Sequence, residues 1–209
     1  MKKLILLFVT MAVTMVVQAQ YKEGDMTIQP RVGVTFSTVT NQDDIKMKLN
    51  LTYGFEVEHF FTDQLSVAGG LLFTNQGYKF DYYEVEPGSN SVKKTGNFNN
   101  YYALVPITVN YYVIEGLAVK AGIQPAFRVK TQLKIDNRKL DMDDAIDFLF
   151  GNHEVTVNKF DLSIPVGFSY EYNKIVFDAR YNFGLTKLFK GVDNSSRNRV
   201  ITLTLGYKL

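Results

Sequence analysis

The chain contains no cysteine and no tryptophan, and only two histidines and five prolines among its 209 residues. Without cysteine there is neither a disulfide framework nor a lipid-modified thiol, so any attachment to a membrane must come from the fold itself. Beyond the N-terminus no stretch holds eighteen consecutive apolar residues, which rules against a helical membrane protein. No sign of charge dominates either. Once Lys2 and Lys3 are set aside with the leader described below, 21 basic residues face 21 acidic ones. Such a balance gives no basic surface for nucleic acid.

What the N-terminus does have is Lys2 and Lys3 followed by an apolar run from Leu4 to Val17 and the small residue Ala19. The run is too short to span a bilayer as a helix and reads as a signal peptide over residues 1–19. The mature domain is then 20–209. Aromatic residues at 14%, all Tyr and Phe, suit an all-β chain of that length.

Alternation predicts eight strands, near 27–38, 49–61, 65–78, 101–113, 117–130, 157–170, 175–187 and 199–209. Each is long enough to cross a membrane, which takes roughly 9–11 tilted residues. Tight turns at Thr62–Gln64, Ile114–Gly116 and Glu171–Lys174 alternate with long polar links near 39–48, 79–100, 131–156 and 188–198. Outer-membrane barrels segregate short periplasmic turns from long external loops in this way. The expected fold is an all-β, eight-stranded antiparallel transmembrane barrel, with a short helix in the third long loop.

The two faces of each strand differ. Ala103, Val105, Ile107, Val109 and Tyr111 alternate with Leu104, Pro106, Thr108, Asn110 and Tyr112, while Phe177, Ala179, Tyr181, Phe183 and Leu185 alternate with Asp178, Arg180, Asn182, Gly184 and Thr186. Collected over the barrel, the second face carries Arg31, Glu56, Glu58, Lys120, Arg128, Asp161, Asp178 and Arg180, with Glu171 and Lys208. Such an interior must be ion-paired, and eight strands enclose only enough room for side chains. The expectation is a salt-bridged plug centred on Arg180 and Glu56. On the apolar face, Phe36, Phe73, Tyr101 and Phe160 toward the long loops and Phe61, Tyr111, Tyr170 and Tyr207 toward the turns suggest two interfacial girdles.

The last strand places Leu205, Tyr207 and Leu209 on the lipid-facing side, as an assembly strand would. Pro30, Pro106, Pro125 and Pro165 fall inside strands, and Pro106 and Pro165 are read as bulges at matched heights. In the third loop, Met142, Ala145, Ile146, Leu149 and Phe150 recur at helical spacing after an Asp141 cap, predicting a helix over 141–150. Asp141, Asp143, Asp144 and Asp147 lack the glycine and terminal glutamate of a calcium loop. His59 reads as an interfacial ring and His153 as a solvated loop residue. Gly69-Gly70 has neither the spacing nor the helix of a phosphate loop. No catalytic, cofactor or metal site is expected.

The stretch NNYYALVPITVNYYVIEGLAVKAGIQPAFRVK, the segment FDLSIPVGFSYEYNKIVFDARYNFGLTKL and the terminal LTLGYKL resemble the PorT-like outer-membrane β-barrel domain family of Bacteroidota. That resemblance implies an eight-stranded barrel inserted by the outer-membrane assembly machinery, in a family whose founding relative is associated with a secretion and gliding apparatus. The function expected is non-enzymatic: a structural role, or a protein or glycan ligand bound at the external loops. The alternatives are an accessory of a secretion apparatus, a small pore, and a lipid-modifying enzyme using His153.

Overall fold

Alternation of apolar and polar side chains lets a strand face lipid on one side and a packed lumen on the other. The computed structural model describes residues 21–40, 45–84, 92–135, 138–140, 156–187, 189–190 and 196–209. They form β1 (Met26–Val39), β2 (Ile45–Lys46), β3 (Lys48–Phe60), β4 (Leu65–Glu84), β5 (Val92–Leu104), β6 (Ile107–Ile114), β7 (Leu117–Ile135), β8 (Arg138–Leu140), β9 (Thr156–Val157), β10 (Phe160–Tyr172), β11 (Ile175–Gly184), β12 (Phe189–Lys190) and β13 (Asn198–Tyr207). The predicted helix at 141–150 and His153 lie outside the described residues.

Every main pairing is antiparallel, and β13 returns to pair with β1, Val34 opposite Leu203, so the sheet closes. β5 and β6 are one stave, because Leu72 opposite Leu104 and Gly69 opposite Ile107 keep a single register across Val105-Pro106. Counted so, β1, β3, β4, β5 with β6, β7, β10, β11 and β13 are eight staves. Their short turns are specified locally. Asn173 and Lys174 both take positive φ, 49° and 68°, the pairing demanded by a two-residue turn that follows strand twist. The Thr62 hydroxyl accepts the Gln64 and Leu65 amides at 3.3 and 3.0 Å.

Two expectations about the strands need correction. Pro106 and Pro165 are not bulges: the ladders lapse there for want of an N–H, then resume unshifted, Ser163 opposite Gln124 and Val166 opposite Ala121. The Val105 amide still reaches the Pro125 carbonyl at 2.8 Å. The register shifts lie instead at Tyr101/Tyr102 against β7 and at Tyr112/Ile114. The link expected at 79–100 is also mostly strand, since Tyr78 pairs Phe98 and Glu84 pairs Val92. Above the bilayer both faces of a hairpin can meet water, so backbone pairing continues where alternation fades.

The aromatic residues of both proposed girdles share the outward parity, and the outer face is apolar between them, with Leu51 69%, Val109 51% and Phe168 56% exposed. The opposite parity is buried and polar, Thr52 and Asn110 being fully enclosed. Glycine recurs on this inner face beside the largest charged groups. Arg31 lies between Gly206 and Gly54, Glu56 opposes Gly70, and both Lys120 and Arg180 oppose Gly167. A missing side chain on one stave makes room for a long one on the next.

Candidate functional site in the barrel lumen

At mid-height three cations meet two carboxylates. Arg180 from β11 forks onto Glu56 from β3, Nη1 to Oε1 at 2.6 Å and Nη2 to Oε2 at 2.8 Å. The same guanidinium donates from Nη2 to Asp178 Oδ2 at 3.0 Å, and its Nε stands 2.7 Å from Oδ1 as an ion pair. Arg31 on β1 spans both acids, 3.2 Å from Glu56 and 3.1 Å from Asp178, and Lys120 on β7 reaches Asp178 at 3.0 Å. All five side chains are at most 3% exposed. Burying ions costs several kcal/mol each unless pairing is geometrically good; the forked arginine contact supplies that geometry.

A second group closes the lumen toward the short turns. Lys208 lies 3.0 Å from Glu58 and 2.8 Å from Glu171. Glu58 Oε1 accepts from Ser66 at 2.5 Å, Asn110 at 2.7 Å and Tyr112 at 2.9 Å. Gln29 joins the two groups, accepting from Arg31 at 2.7 Å and donating to Glu58 at 2.8 Å. The central group carries three positive and two negative charges, the lower one positive and two negative, so together they are neutral. Tyr21, ahead of β1, caps this end: its ring stacks on Phe60 at 4.4 Å, its hydroxyl donates to Glu171 at 2.6 Å, and Lys208 sits 4.2 Å over the ring. Burial, with the Glu171 carboxylate beside it, pushes the Tyr21 hydroxyl well above its ordinary pKa.

Toward the long loops the filling changes character. Leu72, Tyr102, Leu104 and Ala126 form an apolar layer, and Tyr78 stacks on Phe98 at 5.2 Å. Asp161 is buried as expected, yet it is held by Thr186 and by Asn198 at 2.7 Å, away from the central arginines. Arg128 stands apart from the ionic layers: half-buried beside the register shift, it donates to the inward Thr131 at 2.5 Å and to the Asn158 carbonyl at 3.0 Å.

Lys48 was missed. It stands at the first residue of β3, where alternation has barely begun, and donates to Asn99. The inward rings of Phe60, Tyr78, Phe98 and Tyr102 were missed too, although their parity signals it. His59 lies on the outside, edge-on to Phe61 at 4.9 Å, remote from the lumen acids. Among the described residues no cluster of three or more His, Cys, Asp or Glu could hold a metal ion. The arrangement is a stack of packed layers rather than a cleft: ionic at mid-height, aromatic and ionic below, apolar and amide-lined above.

The profile of the outer membrane protein beta-barrel domain matches residues 18–190. Among solved structures, Neisserial surface protein A superposes with a TM-score of 0.50 at 10% identity, covering 88% of this chain and 97% of that one. Two others are Ail, the attachment invasion locus protein of Yersinia pestis, solved with the heparin analogue sucrose octasulfate (TM-score 0.46, 11% identity, 90% and 99% covered), and OprG of Pseudomonas aeruginosa (0.43, 14%, 91% and 98%). No curated protein matches the chain.

Proposed function

The chain belongs to the outer membrane protein beta-barrel domain family, and we propose that within the outer membrane this member is a non-enzymatic, ion-tight barrel. Its external loops offer a surface for a protein or glycan ligand, and its wall braces the envelope. The observation that carries this reading is the layer in which Arg180, Glu56, Arg31, Asp178 and Lys120 join four staves across the lumen. A conducting pore needs a continuous water column, whereas here charged groups bond to one another at 2.6–3.2 Å. Function in rigid-scaffold proteins concentrates in loops, and a plugged barrel leaves the loops as its active face.

Several finer assignments belong to the same proposal. Residues 1–19 act as an export signal removed before assembly, leaving 20–209. The outward Leu205, Tyr207 and Leu209 present the strand read by the assembly machinery. The Val-Pro-Ile and Ala-Arg-Tyr-Asn-Phe-Gly-Leu segments support a further assignment to the PorT-like branch of Bacteroidota barrels.

Planar-bilayer recording of the purified barrel tests the central claim. The expected trace is silent apart from brief, small events. A stable, large conductance would overturn the plug. Crosslinking in intact envelopes from Tyr83 then separates a binding role, with a defined adduct, from a purely structural one.

A further inference from the structure

The outer surface is not uniform around the barrel. On the arc formed by β7, β10, β11 and β13, the ends nearest the long loops carry Lys130, Lys159, Lys187, Arg197 and Arg199, all exposed. Among the described residues, no carboxylate faces outward on this arc. At the opposite end of the barrel, exposed Glu23, Asp25, Asp63 and Glu115 outnumber Lys22 and Lys174. Register brings the basic groups together: Arg199 is level with Phe183 on β11, and its guanidinium donates to the Tyr181 hydroxyl at 3.4 Å. Continuing the same ladder past β11 places Arg197 beside Leu185, with Lys187 next along that edge.

Directly beneath these cations the outer wall is hollowed. Ala179, flanked in register by Leu203 and Phe168, leaves an apolar furrow of about 490 Å³ that also borders Val32, Leu51 and Phe177. Leu203 lies four residues below Arg199 on the same strand, roughly 13 Å at about 3.3 Å per residue. Tyr181 stands between the two and Phe183 is level with Arg199, their ring centroids 4.4 Å apart. Aromatic rings at this position mark the headgroup level of a bilayer. Cations lie at and above that level, Arg199 beside the rings and Arg197 beyond them, and a slot for hydrocarbon lies below.

We infer that this face is a binding site for a phosphorylated glycolipid of the outer leaflet, with Arg197 and Arg199 holding its phosphates and one acyl chain lying in the furrow over Ala179. The charge is of the right sign at the height where anionic headgroups sit, and a single juxtamembrane cation contributes enough for about a fivefold gain in affinity. The furrow supplies what a charged patch alone lacks, a fixed seat for the lipid's apolar part. Its volume falls within the roughly 300–1,000 Å³ of small-molecule clefts. On the other side of the barrel Lys46 is ion-paired to Asp81 at 3.0 Å, with Lys79 beside it, and serves as an internal comparison.

Native mass spectrometry of the purified full-length barrel, titrated with bisphosphorylated lipid A, its dephosphorylated form and phosphatidylglycerol, tests the inference. Bisphosphorylated lipid A should bind tightest. Arg197→Gln/Arg199→Gln should weaken it about 25-fold, toward the dephosphorylated form. Ala179→Phe, which fills the furrow from outside, should weaken both lipid A forms, and Lys46→Gln/Lys79→Gln should change neither. Circular dichroism melts confirm that each variant remains folded. Equal binding of the two lipid A forms, phosphatidylglycerol binding as tightly, an equal loss in the Lys46/Lys79 variant, or no effect of Ala179→Phe would each overturn the assignment. None of these outcomes depends on whether the lumen conducts.

Discussion

Replacing Glu56 by glutamine probes the lumen at its most connected point. The substitution preserves volume but removes the acid that receives Arg180 at 2.6 and 2.8 Å and Arg31 at 3.2 Å. The central group then holds three cations, Arg31, Lys120 and Arg180, against Asp178 alone, so its net charge rises from +1 to +2. A unit pair at about 4 Å is worth about 4 kcal/mol at an effective dielectric constant of about 20, and unpairing a buried ion costs about 3–5 kcal/mol. Glu56→Gln should therefore destabilise the barrel by about 3–5 kcal/mol. Adding Lys120→Met returns the net charge to +1, so the double variant should lose less than the sum of the singles. Because the chain has no tryptophan, urea unfolding in lipid vesicles is best followed by circular dichroism and by the gel shift of folded barrels. A loss below about 1 kcal/mol, with no coupling to Lys120, would mean that water screens the lumen, and the reasoning behind the plug would fail.

Other consequences follow from the wall and the turns. Val109→Arg places a charge on the lipid side of β6, where it is half-exposed; a loss of about 2–4 kcal/mol in vesicle unfolding is expected if it lies near the bilayer midplane. Gly70→Val should block assembly, since a Cβ there would lie 2.3 Å from the Phe55 carbonyl oxygen and 2.6 Å from Glu56 Cγ; the fraction of folded protein in outer-membrane preparations reads this. Lys174→Gly should stabilise by about 1 kcal/mol, because Lys174 is held at φ 68°, a conformation that costs ordinary residues about 1–2 kcal/mol. Unchanged unfolding of that variant would show the turn to be unstrained.

Eight staves and their facing could be read from residue order because lipid on one side and a packed lumen on the other impose a strict two-residue period. Arg180 and Glu56 stand on inward positions in β11 and β3, and length and charge complementarity suffice to match them across 124 residues of sequence. Legibility fails where that period breaks. The shift at Tyr101/Tyr102 falls beside Arg128, and nothing local in Phe127-Arg128-Val129 announces it. Proline inside a strand suggests a bulge, yet at Pro106 and Pro165 the closed barrel keeps its register and gives up ladder bonds instead. The upper hairpin of β4 and β5 carries Asp81, Lys94 and Thr95 on strands that have left the membrane, so polarity there marks water rather than a loop.

The central ionic group is assembled from opposite ends of the chain: Arg31 and Glu56 come from β1 and β3, Asp178 and Arg180 from β11. Before β13 docks on β1 the sheet is an open ribbon, with the two halves of this charge set on opposite flanks. Each half already holds an acid beside a base, Arg31 with Glu56 and Arg180 with Asp178, but the forked Arg180–Glu56 contact and the Arg31–Asp178 pair form only with the seam. An unfinished ribbon leaves these ions short of partners, and the register that mates Val34 with Leu203 supplies them. The buried charges thus act as a lock that engages once, at closure, so a barrel stitched one residue out of step would be rejected by its own interior.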